Sequence, residues 1–128
     1  EGGDPDPPPT PECITKSNDT RVDIPDAGSA VTSAISVTEC AGKKASTGAK
    51  VTVDIVHTYR GDLVIDLLTP SGRVINLKSS DLFDGSENVS EVYPIGVSGE
   101  DANGTWTLRV SDAFSLDEGF IQSWSISI

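Results

Sequence analysis

HTYRGDLVIDLLTPSG, running from His57 to Gly72, decides the fold of this chain. A turn, Arg60-Gly61-Asp62, separates two hydrophobic runs, and a second turn, Thr69-Pro70-Ser71-Gly72, closes the stretch. Upstream of the first turn, Val51, Val53, Ile55 and His57 fall on one face, with Thr52, Asp54, Val56 and Thr58 on the other. Downstream, Leu63, Ile65 and Leu67 continue one face, and Val64, Asp66 and Leu68 the other. Period 2 is the signature of a strand with one buried side. With Val74 and Ile75 in the run after Gly72, the stretch predicts three consecutive antiparallel strands, the first two joined as a hairpin through Arg60-Gly61-Asp62.

Outward from there the same pattern recurs. Residues 20–26 (TRVDIPD) predict a short strand that breaks at Pro25, and residues 31–40 (VTSAISVTEC) predict another with Val31, Ile35 and Val37 on one face. Residues 79–104 are long, polar and rich in turn residues, with one short strand expected near Val92 and Tyr93. Residues 105–112 place Trp106, Leu108 and Val110 on one face. The final strand, 120–128, points Trp124, Ile126 and Ile128 inward and Ser123, Ser125 and Ser127 outward. Helical periodicity is absent. These features predict an all-β chain, an antiparallel β-sandwich or jelly roll of about eight strands. Trp106 and Trp124 read as core residues, the alternative being an exposed platform for carbohydrate.

At 128 residues the chain has room for one domain and a tail. Residues 1–12 (EGGDPDPPPTPE) hold five of the eight prolines and no aliphatic residue, so they read as an extended acidic linker between domains. The β-domain is expected over 13–128, as a piece of a longer precursor. A net charge of −11 repels nucleic acid and anionic membranes. No run of 18 apolar residues occurs to span a bilayer. A monomer is expected.

Cys13 and Cys40 lack the C-x-x-C spacing of a metal or redox site. In a small acidic domain they suggest one disulfide and an oxidising compartment, against the alternative of two buried thiols. Asn18, Asn88 and Asn103 begin N-x-[ST] sequons. The single histidine, His57, lies at the end of an apolar strand face and reads as a strand-end residue bonded to backbone. One histidine without a G-x-S-x-G elbow does not build a catalytic triad, and one His with two separated Cys does not build a zinc site.

Two acidic groups have the oxygen chemistry that Ca²⁺ requires. The first is dispersed over turns and strand ends: Asp26, Asp62, Asp112 and Asp117. Its oxygens converge if those loops meet at one end of the sandwich. The second is local: Asp81, Asp84, Glu87 and Asn88 in SSDLFDGSEN. Solvated turn carboxylates are the plain alternative for both.

His57-Thr58-Tyr59-Arg60-Gly61-Asp62-Leu63, Leu67 to Gly72, Asn103-Gly104-Thr105-Trp106-Thr107-Leu108, Val110-Ser111-Asp112, and Gly119 with Ile121 and Trp124-Ser125 follow one another in a familiar order. Together with Ile24-Pro25-Asp26 they resemble the P domain, or Homo B domain, of proprotein convertases and secreted microbial proteases, from about residue 20 to the end. The resemblance implies a jelly-roll sandwich placed after a subtilisin-like or metallopeptidase domain, without catalytic residues of its own. It implies a secreted protein in which this domain serves the folding, stability, Ca²⁺ dependence or substrate access of the attached protease. Convertases often carry two arginines before Gly-Asp-Leu. Tyr59 before Arg60 departs from that and, with the proline linker, points to the microbial branch. The rival expectation is a stand-alone binding module for polysaccharide or a fibrous protein such as collagen, since sandwiches host many binding functions.

Overall fold

The computed structural model describes residues 11–128. The linker expected over 1–12 therefore lies almost wholly outside the described residues. Nine strands are present in that range: β1 Thr15–Asn18, β2 Val22–Ile24, β3 Val31–Val37, β4 Lys50–His57, β5 Leu63–Leu68, β6 Val74–Lys78, β7 Val89–Pro94, β8 Gly104–Asp112 and β9 Gly119–Ser127. They form two antiparallel sheets. In one, β9 pairs with β4 and with both β1 and β2, and β7 forms the far edge. In the other, the order is β3-β8-β5-β6.

The sheets face each other over one core. Val51, Val53, Ile55, Ile121, Trp124 and Ile126 enter it from the first sheet, and Ile35, Leu63, Ile65, Leu67, Trp106 and Leu108 from the second. Both tryptophans are core residues, as their alternation predicted. Their indole N–H groups are answered inside, Trp106 Nε1 by the Ala102 carbonyl at 3.0 Å and Trp124 Nε1 by Ser33 Oγ at 2.9 Å. A buried indole needs such a partner.

The expected hairpin through Arg60-Gly61-Asp62 is corrected by the pairing. β4 pairs with β7 and β9, whereas β5 pairs with β6 and β8. Arg60–Asp62 is a single 3-10 turn that carries the chain from one sheet to the other. Alternation reports which face of a strand is buried. It does not report the neighbouring strand, and two runs facing across a core alternate just as two runs side by side do. β5 and β6 do form a hairpin, closed through Thr69 to Gly72, with Gly72 at φ 91.

Three details escape the period-2 reading. β1 (TKSN) has no apolar alternation and exists because β9 offers it an edge, from Thr15 opposite Ser127 to Asn18 opposite Trp124. β9 carries a bulge: Asp54 pairs with Ser123 and Ile55 with Ile121, leaving Gln122 over. That extra residue lets Ile121 and Trp124 both face the core despite their odd spacing. Ser127, expected outside, is buried beneath β1 and shares a 2.9 Å hydrogen bond with Thr15.

Cys13 and Cys40 form the disulfide, with Cα atoms 6.1 Å apart. It ties the start of β1 to the loop after β3, where the Cys40 N–H also donates to Asn103 Oδ1 at 2.7 Å.

Candidate functional site

The loops and strand ends that carry the dispersed set lie at one end of the sandwich, but among the described residues no three of its acids converge closely enough to hold a metal ion. β4 and β5 are joined there by the 60–62 turn, and the 79–88 and 113–118 loops pack on either side of it. Gly61 N–H donates to the Asp84 carbonyl at 3.0 Å, Asp81 N–H to the Gly61 carbonyl at 2.7 Å, and Ala113 N–H to the Asp62 carbonyl at 2.8 Å. Gly61 has no room for a side chain, because a Cβ would run into the Asp81 and Asp84 carbonyls.

At the centre lies a buried pair. His57 Nε2 stands 2.9 Å from Asp112 Oδ2, and both side chains are fully out of solvent. The Tyr59 N–H donates to His57 Nδ1 at 3.1 Å, so the ring proton sits on Nε2 and is given to the carboxylate. The other Asp112 oxygen accepts the Phe114 N–H at 3.1 Å. His57 is thus a strand-end histidine bonded to backbone, as the sequence predicted. Its carboxylate partner was missed, although both residues are legible as the ends of their strands. Gly119 makes the approach possible: a Cβ there would strike the Val56 carbonyl and come within 2.9 Å of His57 Cδ2.

Asp62 is buried beside this pair. Burial first, then the charges of Asp112 and Asp117, push its carboxyl above the ordinary aspartate range. Its Oδ2 is enclosed and has no hydrogen-bond partner among the described residues. Asp117, half-buried, receives the Thr58 hydroxyl on Oδ1 at 2.8 Å, and the same hydroxyl accepts the Glu118 N–H at 3.3 Å. Asp26 reaches this end through Oδ2, which accepts the Leu116 N–H at 3.1 Å. Asp62 thus lies near enough to Asp112 and Asp117 to feel their charge, and Asp26 is tied to the 113–118 loop, without the four forming a metal-binding group among the described residues.

The local set is committed to the loop itself. Arg60 Nε bonds both Asp84 oxygens, at 3.0 and 2.9 Å, and this bond holds the Asp84 carboxyl below its ordinary range. Asp81 Oδ1 accepts the Phe83 N–H at 3.0 Å. Asn88, at φ 64, accepts the His57 N–H at 3.0 Å, and Glu87 is exposed. Tyr59 lies over the same loop and donates its hydroxyl to the Leu82 carbonyl. Two other sequon amides serve the fold as well, Asn18 Nδ2 bonding the Ala34 carbonyl and Asn103 capping Cys40.

Leu82, Phe83, Phe114 and Leu116 project from the two loops, Phe83 at 96% and Leu116 at 91% exposure. Beside them, on the outer face of the β2-β9-β4 sheet, is an open cleft of about 430 Å³ lined by Arg21, Ile24, Val56, Thr58 and Phe120. The Arg21 guanidinium caps the Phe120 ring at 3.7 Å. No helix among the described residues is long and apolar enough to cross a membrane.

Residues 46–128 match the model of the proprotein convertase P-domain. The chain is 49% identical over 110 residues to the transglutaminase-activating metalloprotease of Streptomyces mobaraensis, a match covering 86% of this chain and 14% of that protein. It is 42% identical over 120 residues to leupeptin-inactivating enzyme 1 of Streptomyces exfoliatus, covering 93% of this chain and 27% of that protein. The fold is similar to part of the serine protease of Aeromonas sobria, with a TM-score of 0.65 at 20% identity, covering 98% of this chain and 28% of the other. The chain thus spans roughly a seventh to a quarter of these three proteins. The chain belongs to the proprotein convertase P-domain family.

Proposed function

We propose that this chain is a non-catalytic accessory domain of a secreted protease, placed after the catalytic domain of the same precursor. It stabilises that catalytic domain and assists its action on protein substrates. The observation that carries the reading is the partial match: at 49% identity the chain accounts for 14% of a metalloprotease. The lone histidine agrees with this role. Both His57 ring nitrogens are engaged and its side chain is sealed, so it offers no base to a substrate. The disulfide suits the oxidising compartment of a secreted protein.

The contact surface we assign is the carboxylate end. Exposed apolar side chains grouped on two adjacent loops mark an interaction site more readily than a solvent face. In the parent protease, the double variant Phe83→Ser/Leu116→Ser tests this. Thermal inactivation should quicken while the melting temperature of the isolated chain stays the same. An unchanged inactivation rate would remove this end from the interface. The rival reading, a module for polysaccharide or collagen, draws no support from Trp106 and Trp124, which are enclosed, or from Tyr59, which is folded onto the 79–88 loop.

A further inference from the structure

Asn103-Gly104 is the one Asn-Gly dipeptide in the chain. Asparagine in this setting is chemically labile, because a glycine nitrogen meets no side-chain obstruction on its way to the preceding side-chain amide. The fold requires both residues even so. Gly104 stands at φ 133, and a Cβ there would lie 2.5 Å from Pro70 Cβ and 2.7 Å from Pro70 Cγ. Asn103 Oδ1 accepts the Cys40 N–H at 2.7 Å, and Asn103 Nδ2 donates to the Thr38 carbonyl at 3.5 Å. One side-chain amide thus answers both a donor and an acceptor of the loop after β3. An aspartate, which only accepts, cannot do both. Cys40, whose N–H makes the shorter bond, is fully buried and carries the disulfide to Cys13.

We propose that Asn103 is a deamidation site kept silent by the disulfide-held loop, and that its conversion marks a domain which has lost the Cys13–Cys40 bond. In the reaction the Gly104 nitrogen attacks Asn103 Cγ. A C–N bond forms, the Cγ–Nδ2 bond breaks, and Nδ2 leaves as ammonia with the Gly104 amide proton. Water then opens the succinimide ring at one of its two carbonyls, giving aspartate or isoaspartate. The folded chain opposes the first bond. Cys40 and Thr38 engage both ends of the side-chain amide, and Gly104 is paired opposite Val37, so ring closure needs this corner to open. The disulfide limits that opening through Cys40, and its loss raises the open population. Neither product rebuilds the corner. Aspartate sets a carboxylate oxygen against the Thr38 carbonyl, and isoaspartate lengthens the backbone at the start of β8, just ahead of the fully buried Trp106. The change runs one way. The inference is independent of the protease reading, since it concerns only this chain's own corner.

The test is peptide mapping by mass spectrometry after incubation at mildly alkaline pH. Three samples of this chain are compared: oxidised and folded, reduced with dithiothreitol, and oxidised in urea. We expect Asn103 to convert about tenfold or more faster in the reduced and urea samples than in the folded one, with both aspartate and isoaspartate formed. Asn18, Asn76 and Asn88, none of them followed by glycine, should remain amides over the same interval. Asn103→Asp, made directly, should melt at a lower temperature than the unsubstituted chain. Equal rates in the folded and urea samples would overturn the protection by the fold. A reduced chain that converts no faster than the folded oxidised one would overturn the part given to the disulfide. An Asn103→Asp chain that melts with the parent would overturn the one-way loss.

Discussion

His57 Nε2 and Asp112 Oδ2 lie 2.9 Å apart across the two sheets, one at the end of β4 and the other at the end of β8, and neither side chain touches solvent. This contact pins the 60–62 crossover and the 113–118 loop to one point. It is a histidine–carboxylate bond sealed from water, so it costs little while complete and much when halved. His57→Ala leaves the Asp112 carboxylate enclosed and half-answered, and should destabilise the domain by about 3–5 kcal/mol. Asp112→Asn keeps the shape and should cost about 1–3 kcal/mol. Urea unfolding followed by tryptophan fluorescence measures both. Equal and negligible losses would show that the pair is not a structural clasp.

Gly119 is required by the same contact. A methyl group there would overlap the Val56 carbonyl and sit 2.8 Å from His57 Cα. Gly119→Ala should destabilise by about 1–3 kcal/mol, the cost of overpacking. Gly48→Ala is the control, since a Cβ at that position meets nothing within 4 Å. Its midpoint in urea should stay within error of the parent or rise slightly.

The disulfide closes a loop with a sequence separation of 27. Replacing both Cys13 and Cys40 by Ser should lower stability by about 3–4 kcal/mol, chiefly by freeing the unfolded chain. Denaturation of the double variant against the oxidised parent gives the number. Because β1 has no apolar alternation, its amides should be the first to lose hydrogen-exchange protection in the variant.

Asp84 carries a pH signature. The Arg60 hydrogen bond holds its folded carboxyl below the ordinary range. A carboxyl depressed on folding contributes stability that is present above the unfolded aspartate pKa and is lost as pH falls through the folded value. NMR titration of the side-chain carboxyl should place Asp84 below the ordinary aspartate range, and Arg60→Gln should return it toward that range. An Asp84 that titrates within the ordinary aspartate range in the parent would contradict the bond.

The faces of the long strands are plain in the chain because each buries one side. Val51, Val53 and Ile55, then Leu63, Ile65 and Leu67, and Trp106, Leu108 and Val110 all enter the core as their alternation requires. Strand neighbours are not encoded there, which is why the Arg60–Asp62 crossover reads as a hairpin. β1 is invisible for a related reason: an edge strand held by the backbone of β9 and a disulfide needs no apolar face. At the site, Asp62, Asp112 and Asp117 stand out as turn and strand-end acids, and Asp62 is buried within reach of the charge of the other two. The partnership of His57 with Asp112 joins residues 55 positions apart, and nothing local to either foretells it. Asp84 shows the opposite limit. Acidic spacing along a loop cannot reveal that Arg60, from a different element, already holds the carboxylate.

The most direct measurement removes residues 13–128 from the parent protease and compares it with the intact enzyme. Half-life at elevated temperature and kcat/KM on a folded protein and on a short peptide are recorded for both. The accessory reading predicts a shorter half-life, a selective loss on the protein substrate, or both, with peptide cleavage retained at low temperature. A truncated enzyme unchanged in half-life and in both kcat/KM values would contradict it, as would a parent polypeptide that carries no peptidase domain.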